Sequence, residues 1–397
     1  MNRCIKLAAP LIAALAIAAC NAGGSSTMPG ASGQSFSSQS RSVPEWQAKN
    51  LARRACTDTR PGYAECDALI QNGKGQASPA VFGWAPIDFQ TRYHLPSGTN
   101  GAGQIVAIVD AYDNPNVTSD LATYRTQFGL GTANFTKYNQ NGQIGNYPSG
   151  NTGWGVEEDL DVQMVSAVCP KCTIYLIEAN SNSTSDLETA ETEAVTLGAH
   201  IVSNSWGCPG SNNCDTPSKF NTHGVVYLAS AGDSGYGTQA PAALNTVVSV
   251  GGTTLSKSGS IYSETTWNGT GSGCATGITK PSWQHDSGCT YRTMNDVSAV
   301  AFGVAEYDSY GGYGWFTVGG TSVSSPMLGG VFGLAGNAST RTDAKQFWSQ
   351  LERKYDNDLH DITTGSNGSC SPSYLCKAGP EYDGPTGWGT PNGIKAF

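Results

Sequence analysis

The chain has 397 residues, of which 13% are charged, with 22 Lys+Arg against 31 Asp+Glu and a formal net charge of -9. That length supports one large domain or two ordinary ones, and an acidic chain with no Lys/Arg cluster excludes nucleic acid, whose phosphates need cationic partners. Sparse charge, 50 Gly and recurring apolar stretches fit an exported protein built for acid, where ion pairs fail as carboxylates protonate.

The chain opens with Arg3 and Lys6 ahead of an apolar run from Leu7 to Ala19, interrupted only by Pro10. The run is too short to cross a bilayer and suits the core of a signal peptide. It ends Ile17-Ala18-Ala19-Cys20, which looks like a bacterial lipobox. Cleavage before Cys20 and acylation of that residue would anchor the chain in a membrane. Asn21 stands where an inner-membrane retention Asp would, so an outer-membrane lipoprotein or an extracellular form is expected. Residues 1–20 are thus read as a lipoprotein-type signal peptide and 21–43 as a Gly/Ser-rich tether. Residues 44–85 form a small separate piece.

Loss of residues 1–20 removes Cys4, and lipidation commits Cys20. The remaining cysteines are even in number, as an oxidising compartment favours. They fall as near neighbours, and five local disulfides are expected: Cys56–Cys66, Cys169–Cys172, Cys208–Cys214, Cys274–Cys289 and Cys370–Cys376. Cys169 and Cys172 form a CxxC, but no second CxxC or nearby His completes a metal site.

From residue 86 onward strand and helix signals alternate. Short β-branched runs at 104–109, 173–177, 200–202, 225–229 and 247–250 read as buried parallel strands. Val156, Leu160, Met164 and Val168 share one helical face, as do Leu187, Ala190, Ala194 and Leu197. Ser185 with Glu188 suggests a capping box, and Gly198 a C-terminal stop. The expected fold is α/β: a layered sandwich with a central, mostly parallel sheet and helices on both faces.

The strongest chemical signal is Gly319-Gly320-Thr321-Ser322-Val323-Ser324-Ser325-Pro326, followed by a helical run. A Ser at a helix N-terminus sits where unpaired N–H groups favour developing negative charge. This segment resembles the nucleophile motif shared by subtilisins and by the sedolisin, or serine-carboxyl peptidase, family. A subtilisin needs a His at a Gly-Thr-His-like helix start, and none of His94, His200, His223, His285 and His360 has that context. The sedolisin pattern is met instead by the helix Glu157-Glu158-Asp159-Leu160-Asp161. Glu157 and Asp161 are i and i+4 and project from one face. Glu158 is also an i+3 partner of Asp161, so choosing Glu157 follows the resemblance; Glu158 and Asp159 read as an acidic, solvated helix start.

Two further segments are similar to that family. Ser230-Ala231-Gly232-Asp233-Ser234-Gly235 places an acid where subtilisins carry an oxyanion-binding Asn. A carboxyl can donate that bond only while protonated, which implies operation in acid. Ser203-Asn204-Ser205-Trp206-Gly207 matches the strand end that pairs with extended substrate. At the C-terminus, the segments around Asp361, Gly379 and Asp383 resemble the family's calcium site. That resemblance gives Asp361 and Asp383 as carboxylate ligands to one calcium ion, with Ile362, Gly379 and Glu381 contributing backbone oxygens. The family usually has Gly where Glu381 stands.

The resemblance covers residues 86–397 and implies a peptidase domain, with 44–85 as a short propeptide-like segment. It implies an exported serine-carboxyl endopeptidase, a monomer acting on proteins or peptides at acidic pH. Ser322 would be the nucleophile, Glu157 the base, Asp161 its support and Asp233 the oxyanion donor. Asp110 ends a strand much as the subtilisin triad Asp does and is left outside this set. The rival readings are a histidine-based peptidase on the same fold and a non-catalytic surface lipoprotein that keeps the fold for binding.

Overall fold

The computed structural model describes residues 43–58, 60–72, 81–341, 343–349 and 358–397; Cys20, the signal run and nearly all of the tether lie outside them. The described chain begins with helix α1 (Glu45–Ala48) and strands β1 (Ala52–Arg54), β2 (Glu65–Cys66) and β3 (Leu69–Gln71), then helix α2 (Pro86–Arg92). Next come β4 (Ile105–Ala111), α3 (Val117–Phe128), β5 (Asn134–Asn139), α4 (Thr152–Val168), β6 (Thr173–Ala179), α5 (Thr184–Thr196) and β7 (Ile201–Asn204). Strands β8 (Trp206–Pro209), β9 (Val226–Ser230), β10 (Gln239–Ala240), β11 (Val247–Ser258) and β12 (Ile261–Thr266) follow. Then come β13 (Gly273–Thr279), β14 (Tyr291–Met294), β15 (Val297–Val300), β16 (Phe302–Asp308), β17 (Gly314–Gly319) and helix α6 (Thr321–Ala335), and the short strands β18 (Leu359–His360) and β19 (Thr390–Pro391) pair near the C-terminus.

The apolar runs assemble as the sheet β12-β11-β9-β7-β4-β6-β5, with β15 also on β11. Every pairing in it is parallel except β11 with β12. β4, β6, β7, β9 and the first half of β11 are buried on both faces, as expected, while the edge strands β5 and β12 are partly exposed. β11 runs on to Ser258, beyond the apolar run at 247–250, because its far half pairs at the sheet edge and emerges into solvent, where apolar residues are not needed. The cap of α5 is Ser183, whose side chain accepts from the Asp186 N–H, two residues before the Ser185 that the capping-box pattern suggested.

Helix α6 packs on one face of the sheet through glycines: a Cβ at Gly329 would stand 3.2 Å from Val106, and one at Gly333 2.5 Å from the Cys172 sulfur. Asn204, the last residue of β7, lies beside Glu191 of α5. Helix α4 is buried almost all round. The Asn151 side chain caps it by accepting from the Gly153 and Trp154 N–H groups. Glu158 and Asp159 therefore fall more than a turn inside the helix and are fully buried, not the solvated start expected from their position.

The N-terminal strands join the body of the protein. β1 pairs with β3, β3 with β17, and β2 with β8, all antiparallel. Disulfides link Cys56 to Cys66, Cys169 to Cys172, Cys208 to Cys214, Cys274 to Cys289 and Cys370 to Cys376.

Candidate active site

Gly320 precedes α6 with φ 111°, a left-handed conformation that glycine alone adopts without strain. It delivers Ser322 into the first turn of the helix. Pro326 lacks the N–H that would have bonded the Ser322 carbonyl; the Ser205 hydroxyl lies 3.4 Å from that carbonyl oxygen. The Ser322 hydroxyl donates to Glu157 Oε2 at 2.9 Å, and the Ser205 carbonyl is its other acceptor at 3.2 Å.

Glu157 comes from the middle of α4 and is fully buried. Burial pushes its carboxyl well above the usual range, and Asp161 and then Asp110 add to the rise, while the Ser322 bond opposes it. Asp161, one turn on, lies within hydrogen-bonding reach of Glu157 and accepts from the Ser205 hydroxyl at 2.8 Å. Glu157 Oε1 and Asp161 Oδ2 are both buried without a donor. A proton shared between the two carboxyls satisfies them. Glu158 turns the other way, accepting from the Asn114 N–H at 3.0 Å.

Asp233 follows β9. Its Oδ1 accepts from the Thr321 N–H at 2.8 Å and the Thr321 hydroxyl at 3.0 Å, and its Oδ2 is buried without a partner. Burial, reinforced by Asp67, drives this carboxyl well above its ordinary value. A protonated Oδ2 beside the helix N-terminus is a donor for negative charge forming near Ser322.

Asp110, one residue before the end of β4, is fully buried with neither oxygen partnered and is pushed up by burial to about 8. It raises both Glu157 and Asp161, so it belongs to the same group of carboxyls. Three of the five histidines turn elsewhere: His94 to Asn392, His200 to the Gly224 carbonyl and His360 to the Arg92 carbonyl. Ser205 and Thr321 join the site although neither was singled out as a site residue. Both lie inside motifs already noted, Ser205 at the strand end before Trp206 and Thr321 beside the nucleophile.

The residues considered for calcium also come together. Asp361 Oδ2 accepts from the Glu381 N–H at 3.1 Å, while its Oδ1 is buried with no partner. Asp383 accepts from the Gly379 N–H at 3.0 Å and from Thr386. Glu381 adopts φ 64°, so it takes the left-handed turn for which glycine is the usual residue. An orphaned carboxylate oxygen suits a hard, oxygen-seeking cation. Ile362 is buried beside Asp361.

Comparison with known proteins identifies the family. Residues 129–355, more than half of the chain, match the subtilase family. The chain is 28% identical to kumamolisin of Bacillus sp. (strain MN-32) over 85% of its own length and 68% of that protein. It is 27% identical to sedolisin of Pseudomonas sp. (strain 101) over 80% of its own length and 61% of that protein. The solved structure of Pseudomonas sedolisin, a serine-carboxyl proteinase, complexed with two molecules of pseudo-iodotyrostatin superposes with a TM-score of 0.68 at 26% identity. That match covers 79% of this chain and 96% of that one. The chain belongs to the subtilase family and, within it, to the sedolisin group of serine-carboxyl peptidases.

Proposed function

We propose that the protein is an exported endopeptidase that hydrolyses peptide bonds in acid by a Ser-Glu-Asp mechanism. The observation that carries this reading is the 2.9 Å hydrogen bond from Ser322 to Glu157. As a peptide carbonyl approaches, Glu157 Oε2 takes the hydroxyl proton while the Ser322 oxygen attacks. Asp161 holds its share of the proton between the carboxyls and keeps Glu157 oriented through the Ser205 bond. The oxyanion is met by the protonated Asp233 and the N–H groups at the start of α6. Glu157 then gives its proton to the leaving amine, and water cleaves the acyl-enzyme by the same steps reversed.

Asp361 and Asp383, with the carbonyls of Ile362, Gly379 and Glu381, would hold one calcium ion, which would brace the C-terminal loops. The signal run and Cys20 support export with a lipid anchor, and residues 44–85 contain a short propeptide-like segment ahead of a peptidase domain at 86–397.

The test is activity against denatured protein across acidic to neutral pH for wild type, Ser322→Ala and Glu157→Gln. Each variant should lose on the order of 10³-fold or more in kcat with its fold intact. A Glu157→Gln enzyme of near-normal kcat removes the carboxyl mechanism.

A further inference from the structure

The N-terminal segment crosses the candidate active site as an extended peptide. On one side of Ser322, Glu65 stands opposite Gly207 and Cys66 opposite Trp206. On the other, Leu69 stands opposite Gly319 and Ile70 opposite Val318. Asp67 lies between these two pairings. Its N–H donates to the Ser205 carbonyl at 3.0 Å, the same carbonyl that lies 3.2 Å from Ser322 Oγ. Its own carbonyl oxygen occupies the hollow left by Gly320. A Cβ there would meet that oxygen at 1.8 Å and Asp233 Oδ2 at 2.7 Å. The Asp67 carbonyl thus points into the space where the oxyanion donor is aimed.

The Asp67 side chain enters a pocket of its own. Its Oδ2 accepts from Ser230 Oγ and from Gln239 Nε2, each at 2.6 Å. A cavity of about 10 Å³ remains against Gly232, Asp233 and Gln239, barely the room one water needs. A ring or a long aliphatic chain fits there only if Gln239 moves. The cation nearest Asp67 is Arg54, 3.9 Å away, and it belongs to the same N-terminal segment. Once that segment leaves, the pocket offers a hydroxyl and an amide donor but no counter-charge. Such a pocket suits a short carboxyl in its neutral form, or the amide of Asn.

We propose that Ser322 cleaves this chain's own Asp67–Ala68 bond, and that the Ser230–Gln239 pocket selects substrates with a short carboxylic or amide side chain before the scissile bond. The inference rests on the peptidase reading above. Ser322 Oγ bonds to the Asp67 carbonyl carbon and its proton passes to Glu157. The C–N bond to Ala68 breaks as that proton moves to the Ala68 nitrogen. Water then hydrolyses the Asp67 ester, restoring the Ser322 hydroxyl and leaving a new carboxyl at residue 67. The Cys56–Cys66 disulfide lies wholly on the amino side of the cut, so no disulfide joins the two products.

The exported chain and its Ser322→Ala variant are held in mild acid and followed by intact mass and N-terminal sequencing. Wild type should acquire an N-terminus at Ala68, and Ser322→Ala should not. Asp67→Asn should still be processed, while Asp67→Lys should be slowed. Against a peptide library, cuts after Asp or Asn should run about tenfold or more faster than cuts after Phe or Leu, and Gln239→Ala should bring that ratio towards one. An enzyme that digests denatured protein yet keeps its Asp67–Ala68 bond, or shows no such preference, overturns the inference and leaves the peptidase reading standing. A chain that digests nothing overturns the reading itself.

Discussion

Asp233 differs from an amide at the same place in one respect: its donor exists only while the proton stays. Its Oδ1 is committed to Thr321, so Oδ2 is the oxygen free to serve an oxyanion. Because burial raises this carboxyl well above its ordinary value, the donor persists through mild acid and is lost as pH climbs past the raised value. Asn keeps the Thr321 contact and donates at any pH. Asp233→Ala should lower kcat in acid by about 10²–10³-fold. Asp233→Asn should retain much more activity and flatten the fall of kcat on the alkaline side. A pH profile of Asp233→Asn that drops where wild type drops would assign that limb to a different group.

Among elements, α6 ties Ser322, the proposed nucleophile, to the sheet through backbone contact instead of side-chain bulk. Gly330 sits against Val168, and Gly333 against Cys172 and Val106, so α6, α4 and the Cys169–Cys172 turn share a single close fit. Gly333→Val overpacks that contact and should cost about 1–3 kcal/mol in denaturant unfolding, with kcat falling as Ser322 shifts from Glu157. Unchanged stability would mean the helix has slack there. The C-terminal loops allow a separate measurement. Chelation of calcium should lower Tm while leaving kcat below the transition nearly constant, and Asp361→Ala should remove that sensitivity to chelator. An identical Tm with and without chelator speaks against the ion.

The same scale explains how far the sequence could be read. Buried parallel strands are written as local apolar runs, so β4, β6, β7 and β9 were legible to within a few residues and β11 only over its buried first half. Caps are ambiguous where serines repeat, hence Ser183 for Ser185. Spacing on α4 could not separate Glu157 from Glu158, because both lie within a turn of Asp161; the choice needs the position of Ser322, 165 residues away in sequence. Nor does any local pattern announce that Asp67 passes beside that Ser. Strand pairing between residues 64–71 and β8 or β17 depends on contacts far apart in the chain, which periodicity does not encode.

Across the whole molecule, buried acids dominate the electrostatics. Burial holds Asp110 at about 8, Asp215 at about 7 and Asp308 at about 6, and lifts Asp159 and Glu306 well above the usual range. In the unfolded chain these groups ionise near 4. Their folded values are raised, so the fold has its full advantage below about pH 4 and loses it as pH rises through about 6 to 8. Between the unfolded and folded values each such group costs about 1.4 kcal/mol per pH unit. Tm should therefore decline from acidic to neutral pH, and a Tm that climbs over that interval would contradict the assignment.

Asp110, fully buried with both oxygens unpartnered and pushed up by burial to about 8, shows what this means for the act of folding. In neutral medium its carboxyl begins ionised and finishes neutral, so a hydrogen ion must be drawn from the surroundings. Repeated over the interior acids, this makes the hydrogen ion a stoichiometric reactant in assembly. The heat of refolding near neutrality should then vary with the ionisation enthalpy of the buffer chosen.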